Sequence, residues 1–175
     1  MRTRSGIYKG LIGFFVSAVL IILDQITKNL AVTHLKGQES IVLWEGVFEL
    51  HYLENRGAAF GILQEKQALF LILTTVVVLL IIYFYLFRLP NERRFLWLNI
   101  SAVLFFAGAI GNYIDRLMQG YVVDFFYFRL IDFPIFNMAD IYVTVAAVLL
   151  LVFGFFYYNE SDFERIFPSK KKEEV

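Results

Sequence analysis

The chain has 175 residues, no net charge and no cysteine. Hydrophobic residues make up 59% and charged residues 18%, against about 45–50% and about 25% in an ordinary globular chain. The balance points to lipid; it excludes disulfides, thiolate nucleophiles and cysteine-held metals and offers no basic domain for nucleic acid.

A membrane helix needs about 20 mostly apolar residues. The first run, Leu11–Leu23, is short and reaches full length only by continuing through Asp24 and Lys28 to about Val32. A cleaved signal peptide, with Arg2, Arg4 and Lys9 as its basic flank, is the rival reading. The run leads into Asp24-Gln25-Ile26-Thr27-Lys28, which is no small-residue cleavage site. Ala68–Phe87, Phe95–Ile114 and Ile141–Tyr158 are uncharged and span directly. The expectation is one membrane-embedded domain with spans at about 9–32, 68–87, 95–116 and 138–158.

Between the first two spans lies an outer β segment at about 36–65. Val47–Leu53 alternates, with Phe48, Leu50 and Tyr52 on one face and Glu49 and His51 on the other, which is strand periodicity. Ser40–Trp44 is a second β-prone run, with Glu45-Gly46 free to turn between them. The segment at about 117–136 is dense in aromatics and carries Asp124, Arg129 and Asp132, a mixture suited to the membrane interface. Ser169–Val175 reads as a charged, disordered tail. Ten of the sixteen Lys and Arg residues fall in the two terminal tails and the loop after span two. Both termini are therefore expected in the cytoplasm, with segments 33–67 and 117–139 outside.

Charges at membrane depth cost about 2.5–3.5 kcal/mol each, so those present need a reason. Asp24, Lys28, Asp115, Arg116 and Asp140 are at that level, and all belong near one face. Spans three and four each carry Asn-x-x-Asp: Asn112 with Asp115, and Asn137 with Asp140. Residues three apart share a helix face, so each Asn is expected beside its own Asp, donating an amide hydrogen bond. Two adjacent carboxylates cannot easily both ionise, and such a pair does acid and base work together. Helix capping or ion transport would also account for them.

Several motifs leave two readings open. Asp24 and Lys28, four apart, pair either as an ordinary helix-end ion pair or as part of a site. Asn55-Arg56-Gly57-Ala58-Ala59-Phe60-Gly61 suits close backbone approach to a ligand or a tight turn. Gly108-Ala109-Ile110-Gly111 permits close helix packing. Asp124 reads as a helix cap or as a support for the aromatic segment. His51 reads as a surface strand residue.

Taken in order, five blocks resemble the lipoprotein signal peptidase (signal peptidase II) family. They are Asp24-Gln25-Ile26-Thr27-Lys28, Asn55-Arg56-Gly57-Ala58-Ala59-Phe60, Gly111-Asn112-Tyr113-Ile114-Asp115-Arg116, Val122-Val123-Asp124-Phe125 and Phe136-Asn137-Met138-Ala139-Asp140. Ala107 departs from the glycine often found there. The resemblance implies an all-α membrane protein of four transmembrane helices with a small extracytoplasmic β-cradle and a short interfacial helix. It implies an aspartyl endopeptidase of the bacterial inner membrane, needing no metal or cofactor, with its site near the outer face. The substrate would be a diacylglyceryl-modified prolipoprotein cut just before its lipidated cysteine, and the surroundings membrane phospholipid. The peptide antibiotic globomycin inhibits this family. Asp115 and Asp140 would be catalytic; Asp24, Lys28, Asn55, Gly57, Asn112, Arg116, Asp124, Asn137 and Ala139 would support them or contact substrate.

Three rivals remain. A small proton-coupled transporter would use the same aspartates as a relay spaced through the membrane. A scaffold would use them only to pair and cap. An intramembrane peptidase of the presenilin and prepilin type would need a Gly-x-Gly-Asp motif, which is absent.

Overall fold

The computed structural model describes residues 2–57 and 67–168. Helix α1 runs Arg2–Leu35, α2 Gln67–Tyr83, α3 Leu96–Gln119 and α4 Met138–Phe156. All four are long and apolar enough to cross a membrane. No residue of α2 is fully buried, and most of its apolar surface beyond the contact with α3 faces outward. Such a surface is stable only against lipid.

Helix α3 is the hub, packing against α1, α2 and α4. Glycine makes two of these approaches possible. A Cβ on Gly108 would lie 2.5 Å from the Ala139 carbonyl oxygen of α4. A Cβ on Gly111 would lie 2.5 Å from Asp24 Oδ2 of α1 and 3.2 Å from the Ala139 Cβ. Small residues at membrane helix contacts let backbones approach closely. The expectation for Gly108–Gly111 is met.

At one end of the bundle sits a three-stranded antiparallel sheet, ordered β1 (Ile41–Trp44), β2 (Phe48–Asn55), β3 (Val122–Tyr127). Gly46 turns β1 into β2 with φ +69°, and Val47 N–H donates to the Trp44 carbonyl at 3.0 Å. The sheet rests on the last turns of α1, where Ala31 and Leu35 pack with Val123, Phe125, Leu50 and Tyr52. The aromatic stretch after span three is thus the third strand of this sheet. Helical structure there is confined to one 3-10 turn, Arg129–Ile131. Strand β3 is buried from Val122 to Phe125, so both faces are covered and the period-2 alternation of apolar and exposed polar residues is lost. Asp124 therefore stands on a strand and caps no helix.

At the other end, α2 finishes in a π-helical turn, Phe84–Arg88. Lys9 of α1 donates to the carbonyls of Tyr85 and Leu89, satisfying acceptors freed there. A last short helix, α5 (Glu160–Ile166), is held by Arg94, whose guanidinium grips both oxygens of Asp162. The tail Ser169–Val175 lies outside the described residues.

Candidate active site

The site is assembled where the turns of α1, α3 and α4 at the sheet end of the bundle meet β2 and β3. Gly120 ends α3 in the left-handed region (φ +75°), its N–H bonded to the Arg116 carbonyl at 3.1 Å. Glycine takes this conformation without strain. The chain then doubles back, and Val123 N–H donates to Asp115 Oδ2 at 3.1 Å.

Asp115 is 5% exposed. Its Oδ2 also faces Lys28 Nζ at 3.0 Å, and its Oδ1 accepts from Gln25 Nε2 at 3.0 Å. Lys28 simultaneously pairs with Asp24 Oδ2 at 3.0 Å, and both side chains are buried. One ammonium thus serves two carboxylates, as a buried charge must be paired to persist. The Asp24–Lys28 pair is therefore no isolated helix-end ion pair but belongs to the same buried network as Asp115. Asp24 Oδ1 accepts the Ala139 N–H at 2.9 Å, tying α1 to the start of α4.

Asp140 occupies the first turn of α4. Asn137 caps that helix: its Oδ1 accepts the Asp140 N–H at 3.0 Å, and Asp140 Oδ2 accepts the Asn137 N–H at 3.1 Å. This is a reciprocal capping box. Asn137 thus lies beside its own Asp, but its side-chain amide donates to Asp124 and Asn112, so the expected amide bond from each Asn to its own Asp forms in neither pair. Asn112 instead donates across to Asp140 Oδ1 at 2.8 Å, while its own Oδ1 accepts from Lys28 at 2.9 Å and from Asn137 at 3.2 Å. Its side chain projects toward α4 and away from Asp115. A continuous chain results: Asp115, Lys28, Asn112, Asp140.

Asp124 is a third buried carboxylate. Its two oxygens accept amide hydrogens from Asn137 at 2.6 Å and Asn55 at 2.8 Å. Burial, and then the neighbouring Asp140 charge, push its pKa up to about 7. Asn55 also turns the chain, its Oδ1 accepting the Gly57 N–H at 3.0 Å. Arg116 donates to the Gly57 carbonyl at 3.1 Å and stacks over Phe70 at 4.8 Å, so it packs inward and does not simply reach for the interface. Its Nε is buried without a hydrogen-bond partner. Ala58–Gly61, the remainder of that small-residue motif, lies outside the described residues.

A cleft of about 1080 Å³ opens beside this network. Asn55, Asn112, Arg116, Asp124 and Asp140 line it, together with apolar Val143, Val145 and Phe133. Asp24, Lys28 and Asp115 lie in the packed layer alongside. Exposed His51 stands at the rim, its Nδ1 2.7 Å from Ser40 Oγ. Among the described residues no cluster of His, Asp and Glu could hold a metal ion. The chemistry available is that of carboxylates held at fixed orientation beside an apolar cleft: proton transfer to and from a bound group.

The model of the signal peptidase (SPase) II family matches residues 16–156. The chain belongs to the signal peptidase II family. A lipoprotein signal peptidase of Streptococcus thermophilus is 47% identical over 133 residues, covering 76% of this chain and 85% of that one. The lipoprotein signal peptidase of Brevibacillus brevis is 47% identical over 139 residues, covering 79% and 91%. Two solved structures, described as bacterial membrane enzymes determined by the in meso method, are also similar. One has a TM-score of 0.72 and 29% identity, covering 93% of each chain; the other has 0.74 and 32%, covering 84% of this chain and 94% of that one. Membership of the signal peptidase II family and four apolar spans make this a multi-pass bacterial membrane protein and a peptidase.

Within this peptidase the described residues of the five blocks resembling the family meet in one place. Spacing rules missed Gln25, which bonds Asp24, Asp115 and the Gly111 carbonyl. A residue next to a candidate on a helix points to another face, so only the long reach of its amide brings it in.

Proposed function

We propose that this chain removes signal peptides from diacylglyceryl-modified prolipoproteins, cutting just before the lipidated cysteine, as an aspartic endopeptidase whose reacting pair is Asp115 and Asp140. The observation that carries the proposal is the Asp115–Lys28–Asn112–Asp140 chain. It holds two carboxylates from two helices in one network beside a cleft. One carboxylate takes a proton from water while the other, protonated, donates to the scissile carbonyl. Arg116 and Asn55, on the cleft wall, contact the substrate backbone or its lipid ester.

Asp24, Asp115, Asp124 and Asp140 all gather at the sheet end of the bundle. That clustering supports a peptidase over a transporter, which needs acids through the membrane depth. The substrate has an apolar signal helix and acyl chains, so it stays in the bilayer. A cleft with both apolar and polar walls can meet it there. The whole chain works as one membrane-embedded unit, with both termini in the cytoplasm and the sheet outside, as the basic residues indicate. The deciding experiment is a gel-shift assay on a diacylated prolipoprotein in phospholipid vesicles, with and without globomycin. Cleavage that globomycin blocks and that Asp115→Asn or Asp140→Asn removes is the expected result. Cleavage persisting in either variant overturns the assignment.

A further inference from the structure

Among the described residues, Lys9 is a buried ammonium that pairs with no carboxylate. It is 7% exposed, donates to the Tyr85 and Leu89 carbonyls and lies 4.4 Å over the Tyr85 ring. These two carbonyls take two of the three N–H groups that an ammonium carries. A buried charge ordinarily has a charge opposite it. The acids that pair at this end of the bundle are taken, Glu92 by Arg165 at 2.5 Å and Asp162 by Arg94 at 2.7 Å. Exposed Arg93 likewise enters no ion pair among the described residues.

Both cations line a groove of about 490 Å³ between α1, α3 and the π-helical end of α2. Tyr85 walls one side: a Cβ on Gly13 would run into its ring, and its hydroxyl donates to the Lys9 carbonyl at 2.9 Å. Away from Lys9 the lining turns apolar, with Val16 and Leu20 on α1 and Ile100, Val103 and Leu104 on α3. Lys9 and Leu20 are eleven residues apart on one helix, a rise of about 16 Å. Half of a bilayer's hydrocarbon core is about 15 Å. The groove is thus basic at its mouth, apolar along its length and one leaflet deep. Asn99, which also lines it, has a buried Oδ1 with no hydrogen-bond partner, and a buried acceptor calls for a donor. We infer that this groove, at the end of the bundle opposite the sheet and the candidate active site, binds one anionic phospholipid. Its phosphate sits at Lys9 and Arg93, a headgroup hydroxyl donates to Asn99, and one acyl chain lies between Val16 and Val103. Basic pockets between membrane helices take anionic headgroups in this way. A substrate's signal helix suits the groove less, because it is about 10 Å wide and brings a positive flank of its own.

The test is native mass spectrometry of the full chain, purified in neutral detergent, freed of native lipid and titrated with phosphatidylglycerol or phosphatidylcholine of the same acyl chains. Expected is one phosphatidylglycerol retained per chain, about tenfold or more tighter than phosphatidylcholine. Arg93→Gln narrows that preference by removing a headgroup cation. Val16→Trp, which fills the groove with an indole, removes retention of both lipids. Arg93 and Val16 are exposed, so both variants keep the fold, and matching circular dichroism verifies it. Equal retention of the two lipids overturns the inference, as does retention that neither variant changes. Binding of inorganic phosphate as tightly as of phosphatidylglycerol overturns it too, because the apolar groove would then contribute nothing. Displacement of phosphatidylglycerol by a synthetic signal peptide would assign the groove to substrate and equally overturn it.

Discussion

Asn112 donates its side-chain amide to Asp140 on the neighbouring helix, at 2.8 Å, and not to Asp115 three residues along its own. The same side chain accepts from Lys28, which holds Asp115. One neutral amide therefore fixes the relative position of two carboxylates from different helices. Replacing it with alanine removes a hydrogen bond to a charged group, about 1.5–3 kcal/mol. Asn112→Ala is expected to lower kcat about ten- to a hundredfold with little change in KM, measured as initial cleavage rates over a substrate series.

On the proposed assignment Asp115 and Asp140 act on one reaction, so their losses should not add. Asp115→Asn and Asp140→Asn are each expected to lower cleavage by at least about a hundredfold to ten-thousandfold. The double variant should be little worse than either single one. Retained helical circular dichroism would show that the fold is intact.

Lys28 stands between Asp24 and Asp115, both buried. Lys28→Met leaves two buried carboxylates with no cation. A loss of about 3–5 kcal/mol is expected, read as a drop in unfolding midpoint in detergent, alongside loss of cleavage.

Asp124 carries a pH signature. Its pKa is about 7 in the fold and about 4 when unfolded. The folded chain holds the extra proton across that interval, so this group's contribution is fully present below about pH 4 and is lost as pH rises through about 7. Asp124→Asn should flatten the fall in thermal stability between those values and leave the trend above them unchanged, when unfolding temperatures are compared across pH.

Gly108 and Gly111 make different demands on a new methyl group. At Gly108 it would press on the rigid backbone oxygen of Ala139. At Gly111 it would press on the Asp24 carboxylate, a side chain that packing holds in place. Gly108→Ala is expected to destabilise by about 1–3 kcal/mol through separation of the helices. Gly111→Ala should cost cleavage more than stability, because it displaces Asp24 from Ala139 and Lys28. Parallel unfolding and activity measurements separate the two.

The spans, the Asp24–Lys28 pair and the Asn137–Asp140 cap were legible because each depends on residues close in sequence. Hydropathy and helical spacing suffice for these. Strand β3 was not legible: buried on both faces, Val122–Phe125 loses the alternation that marks a strand, and its aromatics look equally at home at a membrane surface. The direction of Asn112 was not legible either, since spacing places a side chain on a face but does not choose between a partner on its own helix and one on the next. Asp124 showed the same limit. Its partners, Asn55 and Asn137, lie 69 and 13 residues away, and only the assembled sheet brings them together.

Three backbone amides in the site are held by side chains: Ala139 N–H by Asp24, Asp140 N–H by the cap residue Asn137, and Val123 N–H by Asp115. Intact helices alone would not shield them, because the first amides of a helix have no partner within it and Val123 lies on strand β3. Slow hydrogen exchange at these three positions would therefore report the assembled site itself, with no substrate present, and their exchange in step would show it opening as one cooperative unit.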